Sequence, residues 1–159
     1  MKQTYFIIIA LAFIAGIGLI IVFFAITSRP NRENSLKKSK ITIGGVSWEA
    51  EKAQTLIEKA RGLSYRESLD KDKGMIFFFD PPSKESFWMK GMNFSLDMIW
   101  IRDNAVIDIT KNAPPLKDSL RPLYYSPKEP ADMVLEINAG QADEYGIQIG
   151  DVVVVDRKQ

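Results

Sequence analysis

Hydrophobic and polar positions divide the chain into three regions. Residues 5–26 form one uncharged apolar run, and a helix that crosses a bilayer needs about 20 such residues. Residues 27–40 are polar and charged, contain Pro30 and show no apolar periodicity. Residues 41–159 carry short apolar segments separated by turn residues, as β-rich domains do. The pattern predicts a membrane anchor over residues 1–26, then a basic flexible linker, then a folded domain.

The fate and direction of the apolar run have alternatives. A cleaved signal peptide would have a shorter apolar region, roughly 7–15 residues, and a small-x-small cleavage site. The residues after Phe24 make a poor site, so we expect an uncleaved anchor. Five basic residues follow the run and only Lys2 precedes it, which by the positive-inside count would leave the domain in the cytoplasm. Long domains translocate largely regardless of such charges, so the domain is predicted to be extracytoplasmic, with the cytoplasm-facing orientation as the alternative.

Local signals predict the first elements of the folded domain. Gly44-Gly45 between two apolar segments indicates a hairpin over residues 41–48, since glycine tolerates the positive φ of tight turns. Thr55 and Glu58 have capping-box spacing, which predicts a short helix that begins near residue 56 and ends at Gly62. Gln141–Tyr145 is predicted as one helical turn ended by a glycine.

Several further segments have the composition of strands. The predicted strands are Met75–Phe79 (ended by Pro81-Pro82), Ser86–Lys90, Leu96–Arg102, Ala105–Thr110, Met133–Ile137 and Val152–Val155. Residues 112–130 contain five prolines and are predicted to be a long loop. The fold class is therefore mainly β with a short helix (α+β), arranged as a small antiparallel β-barrel or roll behind one N-terminal transmembrane helix.

Composition removes several kinds of chemistry. The chain has no Cys and no His, which excludes disulfides, thiolate catalysis, the Ser-His-Asp triad and imidazole metal sites. Only a hard cation held by oxygen ligands would remain, and no metal or cofactor is predicted. Residues 41–159 carry 15 basic and 19 acidic side chains, a net charge of −4. Nucleic-acid binding requires clustered basic residues, so nucleic acid is not expected as a partner.

A small group of polar and aromatic residues could form a site. Two arginines either make internal ion pairs with Asp97 or Glu136 or form a fork for a carboxylate or phosphate. Trp88 either packs in the core or joins Lys90 in an aromatic and cationic lip for a sugar or peptide. The binding candidates are Arg61, Arg66, Trp88, Lys90, Asn93 and Asp97.

Carboxyl groups are the only plausible acid–base groups. Asp97 and Glu136 lie in apolar segments, where burial favours the neutral form of a carboxyl group. Two such groups flanking a glycosidic bond would suffice for hydrolysis. No catalytic residue is predicted otherwise, and pairing of a buried carboxylate with Arg66 is the competing interpretation.

An ordered set of short motifs resembles a known family, the one catalogued as domain of unknown function (DUF) 192. The resemblance covers about residues 41–156 and no single motif carries it. The motifs are Arg61-Gly62-Leu63 with Arg66 and Leu69, Gly74-Met75-Ile76-Phe77, Phe87-Trp88-Met89-Lys90, Leu96-Asp97, Leu135-Glu136, Ala139-Gly140 and Gly150-Asp151. The resemblance implies a compact β-rich domain, often preceded by an export signal or anchor, and it implies no established activity.

The function predicted from these observations is that of a binding or accessory module. The chain would be held in the lipid bilayer by residues 5–26 and would bind an envelope glycan, another envelope component or a partner protein. Because nucleophile motifs, His and Cys are missing, an enzyme is not favoured. A carboxylate-based hydrolase of envelope polymers, using Asp97 and Glu136, is the alternative.

Overall fold

The computed structural model of the chain describes residues 36–116 and 123–156. The predicted membrane anchor, and the linker as far as residue 35, lie outside these residues. In the part of the chain that the model describes, no helix is long and apolar enough to cross a membrane.

The described residues form short strands and two short helices. The strands are β1 (Lys38–Ile43), β2 (Val46–Ala53), β3 (Lys73–Ser83), β4 (Phe87–Trp88), β5 (Leu96–Arg102), β6 (Ala105–Ala113), β7 (Tyr124–Tyr125), β8 (Ala131–Asn138) and β9 (Val153–Asp156). The helices are α1 (Leu56–Arg61) and α2 (Gln141–Glu144). The prediction of a mainly β fold with short helices is confirmed.

Seven of the strands make one curled, half-barrel sheet in the order β6-β5-β8-β3-β2-β1-β9, and β4 pairs with β7 in a separate ribbon. The ends of the large sheet approach each other, since the Val153 amide donates to the Asn104 carbonyl at 2.8 Å. Its strand pairs are antiparallel except β2 and β3, which are parallel. A parallel pair needs a crossover connection, and α1 lies in it.

Both faces of the central strands are buried. Side chains of one strand alternate between the faces of its sheet, so β5 presents Ile99 and Ile101 to one core and Met98 and Trp100 to another. The first core fills the concave side of the curled sheet, with residues from all seven of its strands. The second lies on the outer face of β3, β5 and β8, where the region around α1 and β4 covers it. This second layer contains the candidate site.

Several element boundaries differ from the predictions. β1 begins at Lys38, so the folded domain starts three residues before the predicted boundary. β3 continues through Pro81-Pro82 to Ser83, with a cis bond before Pro81 and a register shift in its pairing with β8. The register shift lets prolines, which have no N–H for the ladder, lie within the strand. The predicted end of this strand was therefore wrong.

The region after β6 also differs in part. β6 runs to Ala113, three residues beyond the predicted strand end. The predicted loop over residues 112–130 contains the short strand β7, which pairs with β4. The predicted strand Ser86–Lys90 is observed only as the two residues of β4. Tyr124 and Tyr125 were not recognised as a strand because two residues are too few for periodicity.

Candidate functional site

A pocket opens between α1, the ribbon strand β4 and the outer face of the large sheet. Its cavity volume is about 320 Å³. Its wall is mainly apolar, and Glu136 is the one acidic group that enters it from the sheet. The residues around it are Leu56, Lys59, Ala60, Arg61, Gly62, Leu63, Ser64, Phe77, Phe79, Glu85, Ser86, Phe87, Trp88, Met89, Met92, Leu96 and Glu136. We call this cavity the Glu136 pocket.

Glu136 lies on β8, between two apolar neighbours. The register places Met75 of β3 on one side and Met98 of β5 on the other. Its side chain is only 5% exposed. Among residues 36–116 and 123–156, none makes a hydrogen bond to its carboxyl group. Among the described residues, the fully enclosed side-chain oxygen without a partner is Asp132 Oδ1 and not an oxygen of Glu136. The Glu136 carboxyl group therefore opens onto the pocket that it lines, where a ligand could provide a hydrogen bond.

The environment of Glu136 favours the neutral acid. Removal from water raises the pKa of its carboxyl group from 4.5 to about 8, and the positive charge of Arg66 lowers it by a smaller amount. The neutral acid therefore persists to a higher pH than in an exposed glutamate. A carboxylic acid of this kind can donate one hydrogen bond into the pocket, whereas a carboxylate could only accept.

Helix α1 forms one wall, and both of its ends are fixed locally. At the N-terminus, the Glu58 amide donates to the Thr55 hydroxyl while the Glu58 carboxylate accepts from the Thr55 amide, so the predicted capping box is confirmed. At the C-terminus Gly62 has φ of +52°. A Cβ atom there would lie 3.6 Å from the Phe77 ring and 4.0 Å from a Glu136 oxygen. Glycine therefore ends the helix and also leaves space beside the buried acid.

The pocket mouth combines apolar and basic side chains. Leu56 at the start of α1 is 86% exposed, and Trp88 on β4 is 43% exposed. The Trp88 ring stacks on Tyr124 with their centroids 6.2 Å apart, and the Lys90 ammonium lies 5.2 Å from the Trp88 centroid. The Lys59 ammonium lies 4.8 Å from the Phe79 centroid. Trp88 and Lys90 thus have the geometry of a cation–π pair, and their role as a lip for a sugar or peptide stays a prediction.

The structure brings together some of the sequence-derived candidates. Arg61, Trp88 and Glu136 line the pocket, and Lys90 lies beside Trp88 at its mouth. The Asn93 side-chain amide instead donates to the backbone carbonyl of Arg66 at 2.7 Å.

Arg66 makes an ion pair that the sequence analysis did not foresee. Its guanidinium binds Glu51 through two hydrogen bonds of 2.8 and 2.7 Å. The hydrogen bonds from Arg66 lower the pKa of the Glu51 carboxyl group. The sequence analysis expected Arg66 to pair with Asp97 or Glu136. Asp97 instead accepts from two backbone amides, and the charge of Arg66 lowers the pKa of Glu136. Glu51 was missed because the strand pairing that brings it close could not be read from local sequence.

Asp97 has a different environment from Glu136. It is fully buried, and its two oxygens accept from the Asn112 and Ala142 amides, each at 2.8 Å. It lies opposite Ile137, one residue beyond the Met98–Glu136 pair. Because side chains alternate between the two faces of a sheet, Asp97 and Glu136 point to opposite faces. They cannot flank a single bond, so the geometry does not support a two-carboxylate hydrolase.

The sequence analysis missed part of the pocket. Leu56, Lys59 and Phe79 carry no motif and become neighbours only when α1 packs over β3. One available signal was the pair of large apolar residues at the exposed start of α1, since these are unusual in a short surface helix. Among residues 36–116 and 123–156, no three His, Cys, Asp or Glu side chains lie close enough together to hold a metal ion.

Comparisons with known proteins agree with this architecture. This chain is similar to a protein of unknown function from Novosphingobium aromaticivorans DSM 12444 with a crystal structure. The two sequences are 36% identical, the alignment covers 75% of this chain and 86% of the other, and the TM-score is 0.67. A second similar structure is that of a protein from Sinorhizobium meliloti 1021, provisionally described as a transcription regulator. Its sequence is 29% identical, the alignment covers 76% of this chain and 95% of the other, and the TM-score is 0.69. No curated protein shows a significant match. The family model DUF192, described as an uncharacterised ACR, matches residues 39–155, and the chain therefore belongs to the DUF192 family.

Proposed function

We propose that this chain is a membrane-anchored, extracytoplasmic binding module whose Glu136 pocket receives an apolar group of an envelope component or of a partner protein. The observation that carries the proposal is the buried carboxyl group of Glu136. It lies in the wall of an apolar cavity of about 320 Å³ and has no hydrogen-bond partner among the described residues. Ligand sites commonly combine an apolar wall with a few polar groups that orient the ligand.

The chemistry of the pocket indicates which ligand group fits. The wall suits an aliphatic or aromatic group, because Phe77, Phe87 and Met89 are among the residues that line it. Protonated Glu136 would donate to a neutral acceptor on that group, such as an amide or ester carbonyl. Arg61 and Trp88 at the mouth would contact the part of the ligand that stays outside.

The membrane location rests on the sequence. Residues 5–26 are long and apolar enough for a transmembrane helix. DNA binding is not proposed, since the net charge of residues 41–159 is −4 and DNA binding requires a basic surface.

Photo-cross-linking in intact cells tests the proposal. Benzoylphenylalanine replaces Leu56, which is 86% exposed at the pocket mouth, or Ile149, which is 63% exposed and does not line the pocket. We expect a defined adduct only at position 56. A second change, Ala60→Trp, should fill the mouth and remove that adduct, because Ala60 lines the pocket from the exposed side of α1. Equal labelling at both positions, or labelling that survives Ala60→Trp, would contradict a pocket ligand.

The orientation requires a separate measurement. A tag after Gln159 is probed with protease in intact, outer-layer-permeabilised and lysed cells. Cleavage before the inner membrane is broken is expected for an extracytoplasmic domain. Protection until lysis would reverse the orientation and leave the pocket proposal intact.

A further inference from the structure

The mouth of the Glu136 pocket has large apolar side chains that point to solvent. Leu56 and Trp88 line the pocket and are 86% and 43% exposed. Ile57, which is 81% exposed, follows Leu56 on α1, and Tyr124, which is 59% exposed, stacks on Trp88. Exposed apolar side chains that cluster in this way usually mark an interaction surface. We call Leu56, Ile57, Trp88 and Tyr124 the mouth patch.

Basic groups surround the mouth patch. Arg61 on α1 and Lys90 over the Trp88 ring are exposed, whereas the Lys59 ammonium donates to the Phe78 backbone carbonyl. Glu85 is the one exposed carboxylate that lines the same pocket. Apolar and aromatic side chains surrounded by lysine and arginine are the composition of proteins that lie in the headgroup region of an anionic bilayer.

The position of the patch in the chain limits how far it can be from a membrane. Nine residues, 27–35, separate the proposed anchor from the first described residue, and nine residues span at most about 30 Å. The domain is thus held at a high effective concentration near the bilayer, so a weak surface interaction is sufficient.

We infer that the mouth patch docks on the anionic surface of the same membrane that holds the anchor, with the pocket opening toward the headgroups. The leucine, isoleucine and tryptophan side chains enter the headgroup region, and the exposed basic side chains of Arg61 and Lys90 face lipid phosphates. This inference rests on the proposed anchor. It adds an orientation of the domain, in which the pocket receives its ligand from the membrane surface.

The three tryptophans make this docking measurable. Trp88 is partly exposed, whereas Trp48 and Trp100 are buried at 1% and 0%. The full chain is reconstituted into vesicles of phosphatidylglycerol and phosphatidylcholine with brominated acyl chains, which quench tryptophan at the bilayer surface. We expect quenching of roughly one third of the emission, since Trp88 is one of three tryptophans. Trp88→Phe should remove the quenching.

A pair of matched double variants tests the patch itself. Leu56→Ser with Ile57→Ser should reduce the quenching at least twofold. Ile149→Ser with Val152→Ser removes two side chains that are similarly exposed, at 63% and 69%, and flank the acidic Asp151. This control should be quenched as the wild type is. Vesicles without phosphatidylglycerol, or a high salt concentration, should weaken the quenching because screening removes the phosphate interactions.

Flotation of the same vesicles separates the two proposals. If the chain floats but Trp88 is not quenched, or if the Leu56 and Ile57 variant is quenched as the wild type is, the docking inference is overturned and the anchor stands. If the chain does not float at all, neither the anchor nor the patch binds a bilayer, and both are overturned. Urea unfolding of each variant checks that the exposed substitutions leave the fold intact.

Discussion

The substitution Glu136→Gln should change how the stability of this domain depends on pH. In the unfolded chain the carboxyl group of Glu136 has its ordinary pKa of 4.5, and burial raises it to about 8 in the folded domain. Between these values the folded state holds one more proton than the unfolded state. The free energy of unfolding therefore falls as pH rises through this window. The stabilisation is complete below pH 4.5 and is lost above pH 8.

The expected size of the effect follows from the two pKa values. A difference of one pKa unit corresponds to about 1.4 kcal/mol, so the full window corresponds to about 5 kcal/mol. Domains are stabilised by only about 5–15 kcal/mol, so a loss of this size is readily measured. Gln keeps the size and polarity of the side chain but does not ionise, so the variant should have no such dependence.

Few other groups titrate in this window. The chain has no His, whose ordinary pKa lies within the window, and no Cys, whose ordinary pKa lies just above it. Glu49, Glu51 and Glu58 have pKa values lowered from 4.5 by hydrogen bonds, so they contribute stability that is lost in more acidic solution. Lys73, with a pKa raised above 10.5, contributes stability that is lost in more alkaline solution.

The assay is urea unfolding of the full chain in nanodiscs at pH 5 to 9, followed by tryptophan fluorescence. The wild type should lose about 4 kcal/mol between pH 5 and 9, and Glu136→Gln should stay nearly constant and be the more stable protein at pH 9. Glu85→Gln removes an exposed carboxyl group that lines the same pocket and should follow the wild type. Parallel curves for the wild type and Glu136→Gln would refute a buried neutral acid.

Three further substitutions test the framework around the pocket by urea unfolding. Asp97→Ala leaves the Asn112 and Ala142 amides without their acceptors and should lower the free energy of unfolding by about 3 kcal/mol. Asp97→Asn keeps one acceptor oxygen and should lower it by less. Gly74→Ala places a Cβ atom 2.8 Å from the backbone oxygen of Glu136, and should cost about 1–3 kcal/mol; an unchanged midpoint would mean that β3 and β8 can separate. Thr55→Ala removes the N-cap of α1 and should cost about 1 kcal/mol, without altering the pH dependence that belongs to Glu136.

The elements that could be predicted depend on residues close together in sequence. The hairpin follows from Gly44-Gly45 and helix α1 from Thr55, Glu58 and Gly62, and each is observed where its signal lies. Strand β5 was predicted with its observed bounds because its seven residues are nearly all apolar. Local propensity and local turn chemistry are sufficient in such cases.

The parts that could not be predicted depend on pairing between distant segments. The parallel pairing of β2 with β3 decides that Arg66 meets Glu51. The pairing of β4 with β7 brings Tyr124 to Trp88. The continuation of β3 through two prolines depends on a register shift against β8. No local pattern encodes these contacts, because a strand's composition does not specify its partner.

Asp97 and Glu136 show how such long-range pairing separates two acids that look alike in sequence. Both are acidic residues in apolar strands, and both strands are buried on both faces. On the concave face, Asp97 meets two backbone amides that need acceptors, and hydrogen bonds satisfy its oxygens. On the outer face, Glu136 meets methionines and a cavity. Burial of a carboxyl group costs stability that an apolar residue would not cost, and the ligand that we propose would offset part of this cost by a hydrogen bond to Glu136.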